Sequence, residues 1–299
     1  MIRILALLSF APALFAADNS FVGRWDFNID TPGRSGAAWL GVFEKNGQVE
    51  VWYQNTTGNV SRVNSFKLEG AHLSVPIGPA TTWELDAVGG KLSGFEKRGD
   101  RSIPLTGMRA PELKRAEPKS WTTPEPLFNG KDLAGWEPIG DIANNHWVVQ
   151  DGLLVNEAHG ANLKTTRQFD DFKVHYEVNC PDGGNSGFYL RGRYEVQIEY
   201  EPLSKNPPER RIGSIYGRLT PSPDLPRKPG EWESFDVTLT GRIVTVAHNG
   251  MIVIDHKEIE GITGGALDAN EGQPGSFYIQ GDHTGGLKFR NITVSVPKK

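Results

Sequence analysis

The sequence holds one cysteine, Cys180, in 299 residues, which excludes an internal disulfide and any zinc site built on cysteines while leaving histidine and carboxylate sites open. Methionine is nearly as scarce, with 3 residues against 35 glycines and 20 prolines. That balance is poor for long helices and rich in turn formers, so an all-helical bundle is excluded. An excess of one charge is also lacking. Lys and Arg total 32 and Asp and Glu 36, and the net charge of -4 offers no electrostatic footprint for nucleic acid or anionic lipid. Beyond the first twenty or so residues no run is apolar enough to span a bilayer, and there is no low-complexity tract or internal repeat. At this length the chain has room for one large domain or two modest ones.

The opening segment has Arg3 as its only charge before Asp18, an apolar stretch from Ile4, and small residues at Ala16 and Ala17. It reads as a secretory signal over residues 1–17. The competing readings are an uncleaved anchor and a buried first strand, but Pro12 interrupts the run. The expectation is a soluble exported protein, periplasmic or extracellular, with no membrane attachment once the signal is removed.

From residue 18 to 109 short alternating runs are punctuated by glycine. Trp39 to Glu44 and Val49 to Tyr53 flank Lys45-Asn46-Gly47, where Asn-Gly supplies the positive φ angles of a tight hairpin, and Trp83 to Leu85 is followed by Lys91 to Phe95 across Gly89-Gly90. This predicts a small antiparallel β domain, a barrel or a curled sheet. Residues 110–126 carry Pro111, Pro118, Pro124 and Pro126 among charges and read as a linker between domains. Residues 127–299 are strand-like again, with Asp151-Gly152 and Asn249-Gly250 between alternating runs. About 170 residues of short strands without helical pattern predict two stacked sheets, a jelly-roll β-sandwich.

The chemistry-bearing stretch runs from Asn185 to Glu199. As one continuous strand it places Phe188, Leu190, Tyr194, Val196 and Ile198 apart from a row of Tyr189, Arg191, Arg193, Glu195, Gln197 and Glu199. A solvated outer face accounts for a polar row as well. The mixture of an aromatic, guanidinium groups, carboxylates and an amide suits sugar hydroxyls and an apolar ring face. Gly275 to His283 repeats the logic, with Phe277 and Ile279 inward, Tyr278 and Gln280 outward, and Asp282-His283 at the strand end. An adjacent carboxylate orients a histidine for proton transfer near neutral pH, although an Asp in a surface turn can equally serve local backbone groups.

The sequence also contains Leu127-Phe128-Asn129-Gly130-Lys131-Asp132-Leu133 with Gly135-Trp136, Trp147-Val148-Val149-Gln150-Asp151-Gly152, Asn185-Ser186-Gly187, Leu190 to Gln197, Lys228-Pro229-Gly230-Glu231-Trp232 and Gln280-Gly281-Asp282-His283. In this order these motifs resemble the 3-keto-disaccharide hydrolases, formerly a domain of unknown function, over residues 127 to 296. The resemblance implies a concanavalin-like jelly-roll exported by bacteria and acting on oxidised glycosides. The segment from Phe21 to Gly107 lies outside that family's domain. A ketone at C3 acidifies the hydrogen on C2, so a base can remove it, the C1 substituent leaves by elimination, and water then adds. That scheme needs a base, an acid and donors for the enolate oxygen. His283 and Glu195 are the candidates for base and acid, in either order, with Arg191 and Gln197 holding hydroxyls or the developing oxyanion. Tyr189, Gln280, Asp282 and Tyr216 are candidate pocket walls, Tyr216 from the Gly-flanked loop 213–217.

Two other functions compete. One is a non-catalytic carbohydrate-binding module, which uses the same residue types. The other is a retaining glucanase with Glu195 and Glu199 as its carboxylate pair. Four residues of strand separate these backbones by roughly 13 Å, against about 5 Å between carboxyl groups in retaining chemistry. The sequence requires no cofactor. Hard oxygen ligands in Asp268-Ala269-Asn270-Glu271-Gly272 fail the EF-hand pattern, so no metal ligand is assigned, and a divalent ion beside His283 stays open. The expected partner is a carbohydrate substrate.

Overall fold

The computed structural model describes residues 20–31 and 34–298, so the segment read as a secretory signal, 1–17, lies outside the described residues. Within those residues the regular structure is strand apart from two short 3-10 helices, Ile142–Asn144 and Pro208–Arg210, and no helix is long and apolar enough to cross a membrane.

The first sheet is antiparallel and, among the described residues, nine-stranded, with Gly23–Thr31 and Arg101–Arg109 paired at its middle and the edges formed by Ser61–Val63 and Lys67–Glu69. Its turns fall where the glycines demand them. Asn46 and Gly47 have φ of 54° and 72°, and Gly89 and Gly90 have 59° and 76°. The sheet curls until Ser61–Val63 comes against His72–Gly78, and its inner face buries Trp25, Phe27, Leu40, Tyr53 and Trp83. Phe27 and Tyr53 pack on Trp83 with ring centroids 4.6 Å and 5.0 Å away.

Alternation along Arg34–Lys45 has a second consequence. Ala38, Leu40 and Val42 face the inside of the curl, whereas Ala37 and Trp39 point the other way and join the core of the second half of the molecule. That half is a jelly-roll sandwich of two antiparallel sheets. One runs Trp147–Gln150, Leu153–Asn156, Lys288–Ser295, Phe172–Asn179, Trp232–Thr240, Ile243–His248, Met251–Glu258. The other runs Trp136–Pro138, Leu163–Thr165, Tyr278–Ile279, Asn185–Leu190, Tyr194–Glu199. Inward side chains close the space between them: Tyr176 of the sheet containing Phe172–Asn179 stacks on Phe188 of the other at 4.2 Å, and Phe172 meets Phe277 edge-on at 4.6 Å. Cys180 is buried in this core, and burial pushes its thiol up to about 12.

The proline-rich stretch 110–126 runs along the sandwich. Glu125–Pro126 adds to Lys288–Ser295 as a short edge strand, Trp121 bridges Pro297, and the Glu112 carbonyl accepts a hydrogen bond from Arg242 at 3.1 Å. Proline removes donors but not acceptors, so its carbonyls and its non-proline neighbours still pair at a sheet edge.

A buried polar cluster fastens the two halves. Glu271 accepts from the Tyr194 hydroxyl at 2.6 Å and from Arg242 at 3.0 Å, and Asp26 of the first sheet lies against it. Burial, and then the Glu271 carboxylate, hold the Asp26 carboxyl well above the usual range, so it is protonated at neutral pH. A carboxyl raised in the folded state stabilises fully at low pH and loses that contribution as pH rises. Asp26→Asn is therefore expected to melt progressively higher than the parent as pH goes from 5 to 9. Thermal unfolding curves that stay parallel across that range would contradict the protonated assignment.

Candidate active site

A hollow of about 480 Å³ opens between the second sheet of the sandwich and the rim of the first sheet. Its floor comes from the hairpin Asn185–Leu190 and Tyr194–Glu199, with Tyr278–Ile279 alongside. The register pairs Tyr189 with both Glu195 and Tyr278, and Gly187 with Gln197, so directly opposed residues share one face. Tyr189, Glu195, Gln197, Tyr216, Gln280, Asp282 and His283 all line the hollow.

Arg191 does not. The strand expected to be continuous breaks at 191–193, where Arg191 and Gly192 take φ of 53° and 69°. Once the chain turns there, alternation restarts and Arg191 leaves the polar row. Its side chain is buried elsewhere, donating to the Gly241 carbonyl and lying 3.4 Å from Asp170. Arg193 departs for the same reason and pairs with Asp268 at 2.8 Å. Glu199 also lies outside the lining, bonded to Arg227 at 2.9 Å and to Asn206 at 2.8 Å, so no second strand carboxylate joins Glu195 from that position. The basic groups that do line the hollow are Lys205 and Arg210, the latter from the short helix Pro208–Arg210 with its buried Nε lacking a partner. No sequence pattern marks either. The turn itself was signalled, since a residue followed by Gly between alternating runs is a tight-hairpin signature.

Glu195 is held in an unusual state. It is buried, and among the described residues no cation pairs with it. Its carboxyl occupies the space left by Gly187, where a Cβ would sit 2.2 Å from Oε1. Tyr189 Oη lies 2.8 Å from Glu195 Oε2 and 2.6 Å from the Gly264 carbonyl oxygen, and it also accepts from Gln280 Nε2 at 3.0 Å. One hydroxyl hydrogen can serve only one acceptor. The Gly264 carbonyl has no hydrogen to give, so when Tyr189 donates to it, the contact with Glu195 needs a hydrogen from the carboxyl. Burial acts in the same sense, pushing Glu195 up to about 8 against the opposing pulls of Tyr189 and His283. At neutral pH the group is a neutral acid.

His283 is its counterpart. Nδ1 lies 2.9 Å from Asp282 Oδ1, and Asp282 Oδ2 accepts from Asn162 at 3.4 Å. The hydrogen bond to Asp282 raises the imidazole above its usual range, although burial works the other way. It also keeps the Nδ1 hydrogen on the carboxylate side, leaving Nε2 as the proton-accepting atom of the neutral ring. Burial would raise Asp282, but the bond and charge of His283 carry it below its ordinary value.

The remaining walls are polar. Tyr278 stacks on Tyr189 at 3.9 Å and donates to the Gly265 carbonyl at 2.6 Å. The loop 213–217 is laid against Tyr194–Glu199 by bonds from Tyr216 to the Glu195 carbonyl and from Gln197 to the Ser214 carbonyl, each 3.0 Å. Gln280 Oε1 is buried without a partner at the edge of the hollow, an acceptor available to a hydroxyl. Ser35, Thr56 and Thr57 close one side from the first sheet. In the loop weighed for hard cations, Asp268 is paired with Arg193 and Glu271 with Arg242. Among the described residues no group of three His, Cys, Asp or Glu side chains is placed to hold a metal ion.

Comparison with known proteins adds a family. A family model described as a 3-keto-alpha-glucoside-1,2-lyase-like domain matches residues 123–295, more than half of the chain. No curated protein matches the sequence. Among solved structures, a protein from Parabacteroides distasonis ATCC 8503 assigned provisionally as a glycosyl hydrolase is 29% identical, with 61% of this chain and 93% of that one covered and a TM-score of 0.48. A laminarinase from Flavobacterium sp. UMI-01 is 14% identical, covering 60% of this chain and 100% of that one at a TM-score of 0.35. The carbohydrate-binding module CBM66 from Bacillus subtilis is 12% identical, covering 54% and 94% at a TM-score of 0.34.

The cradle around Glu195 makes a direct prediction. Gly187→Ala places a methyl where the carboxyl sits, so Glu195 is expected to swing towards solvent and titrate near its usual 4.5 instead of about 8. Carbon-detected NMR titration of labelled glutamate measures this, and an unmoved high value in the variant would show that Gly187 does not define the cradle.

Proposed function

The chain belongs to the 3-keto-alpha-glucoside-1,2-lyase-like family, and from that membership together with the geometry of the hollow we propose that it cleaves 3-keto-glycosides by elimination across C1 and C2 followed by hydration. Carbohydrate-active, glycosyl hydrolase-like character follows from the family. The observation that carries the finer reading is a buried carboxyl without a cation partner among the described residues, Glu195, lining the same hollow as a histidine oriented by Asp282, and burial pushes that carboxyl up to about 8.

Removal of the C2 proton is slow unless charge arriving on the C3 oxygen is met by a donor. A neutral acid in a buried cradle does this without an ion to desolvate, and it strengthens its bond as the oxygen becomes anionic. In this reading Glu195 faces the C3 oxygen, with Arg210, which lines the same hollow, adding positive charge. His283 Nε2 takes the C2 proton. The enolate electrons expel the C1 substituent, and the imidazolium returns that proton to the leaving oxygen, giving an alcohol and a 1,2-unsaturated 3-keto sugar. Water then adds across that double bond, its hydroxyl to C1 and its hydrogen to C2, so the sum is hydrolysis of the 3-keto-glycoside. Gln280 and Gln197 hold ring hydroxyls, and the stacked Tyr189 and Tyr278 keep the floor rigid.

The position of Glu199, tied to Arg227 outside the hollow, argues against a retaining glucanase pair on this strand. A binding module would have no use for a carboxylic acid stored in its neutral form.

The decisive assay incubates the protein with 3-keto-trehalose, 3-keto-lactose and their unoxidised parents. Release of 3-keto-glucose from the oxidised pair alone is expected, and cleavage of the parents alone would reverse the assignment. His283→Ala is expected to abolish turnover in a folded protein, and Glu195→Gln to lower kcat by about 10²–10³-fold, the cost of losing one strong donor to an oxyanion. Full activity in both would remove these roles. The base must be unprotonated and the acid protonated, so activity should rise with pH above the usual imidazole range, as His283 loses its proton, and fall near 8 as Glu195 ionises. A profile of kcat/KM against pH checks this, the alkaline fall being absent from Glu195→Gln.

A further inference from the structure

The first sheet meets the sandwich at a second place, one that the chemistry around Glu195 does not use. Trp39, Gly41 and Phe43 share the face turned away from the inside of the curl, and the register sets Trp52 opposite Gly41 on that face. A Cβ on Gly41 would lie 2.3 Å from the Trp39 ring and 2.6 Å from the Phe43 ring, so both rings lean over the glycine that faces Trp52. Trp39 is buried, whereas Phe43 and Trp52 are partly exposed and line a hollow of about 360 Å³ together with Lys45, Glu50, Arg218 and Glu260.

Arg218 stands apart from the other polar groups of this hollow. Its side chain is only 2% exposed, with Nε and Nη2 donating to the Ile262 carbonyl at 3.1 Å and 2.7 Å, and Nη2 also to Gln54 Oε1 at 3.0 Å. Nη1 has no hydrogen-bond partner, and Glu260 Oε2 lies 3.8 Å from it. Burial holds the guanidinium down at about 10. Trp39 Nε1 and Gln54 Nε2, on two side chains that touch this guanidinium, are also buried without acceptors. Unsatisfied buried donors are costly and few in native folds, so three around one guanidinium mark a place that receives acceptors. Two atoms 3.8 Å apart do not bond each other, yet one hydroxyl fits between them, accepting from Nη1 and donating to Glu260.

The lining selects the occupant. An anion would meet the carboxylates of Glu50 and Glu260, and an apolar ligand would leave Nη1 unmet. A sugar ring offers an apolar face to Trp52 and Phe43, and hydroxyls that both donate and accept. We infer that this hollow is a second, non-catalytic glycan site that binds a neutral oligosaccharide, one ring lying on Trp52 and one hydroxyl bridging Arg218 and Glu260. Only a thin wall parts it from the hollow of Glu195. Gly58 and Tyr216 line that hollow, Val60 and Gly217 line this one, and a Cβ on Gly217 would lie 3.2 Å from Asn59 Oδ1. A saccharide bound here is therefore kept next to the hollow of Glu195, at a raised local concentration.

Calorimetric titration with cellotetraose, maltotetraose and trigalacturonate tests this in the parent and in Trp52→Ala, Glu260→Ala and Gln280→Ala, the last of which alters the hollow of Glu195. At least one neutral chain is expected to bind the parent. Its affinity should fall about tenfold in Trp52→Ala and in Glu260→Ala, the loss of one stacked ring or one charged hydrogen bond, and stay within about twofold in Gln280→Ala. Glu260 is half-exposed, so Glu260→Ala decides the matter should Trp52→Ala fail to fold. No binding of either neutral chain, tighter binding of the acidic one, unchanged affinity in the folded variants of this hollow, or a loss in Gln280→Ala equal to theirs would overturn the inference. None of these readouts uses turnover, so elimination at the hollow of Glu195 stands or falls separately.

Discussion

A carboxyl group kept out of water without a cation beside it constrains this molecule more than any other contact. Glu195 costs the fold less as a neutral acid than as an anion, and each element of its surroundings follows from that choice. Gly187 leaves the space, and the Tyr189 hydroxyl, with one hydrogen to give, stands within hydrogen-bond reach of both the Glu195 carboxyl and the Gly264 carbonyl. That carbonyl is fixed in turn by a loop bonded to the first sheet. The protonation state of one side chain thus depends on backbone positions from two separate sheets.

This dependence explains why the first sheet is more than an appendage. Its strand Arg34–Lys45 gives alternate residues to two cores, with Leu40 inside the curl and Trp39 under the guanidinium of Arg218 at 4.2 Å. Arg218 also binds the Gln54 side chain at 3.0 Å and the Ile262 carbonyl at 2.7 Å, beside the loop that carries Gly264 and Gly265. A shift of the sheet would move Trp39, Arg218 and the loop together. The family match begins at residue 123, yet the wall facing the hollow at Thr56 and Thr57 comes from before it.

Much of this was legible in the sequence because period-two alternation and Asn-Gly or Gly-Gly turns act locally. They placed the hairpins at Asn46, Gly89 and Asn249, the inward Phe277 and Ile279, and the outward Gln280. Adjacent residues in one strand, or opposed across one hairpin, also came out together, as Tyr189, Glu195 and Gln197 did. Arg191 failed because alternation was carried through a turn that Gly192 announces, and one left-handed pair of residues moved the guanidinium to the Gly241 carbonyl. Arg210, Asn162 and Thr56 could not be found that way. They reach the hollow from a 3-10 turn, a loop of the sandwich and a loop between strands of the first sheet, through long-range contacts that leave no periodic trace. The state of Glu195 was equally hidden, since it arises from burial and from counting hydrogens around Tyr189.

The lone thiol offers a practical opening. Cys180 sits inside the sandwich with its ionisation suppressed, so alkylating reagents that need a thiolate will pass it by in the folded protein. A cysteine placed at Thr57, in the lining of the hollow, would then be the sole reactive thiol in the chain. Fluorophores or spin labels attached there could follow the approach of a sugar, and any breathing between the two sheets, without first stripping a native residue from the core.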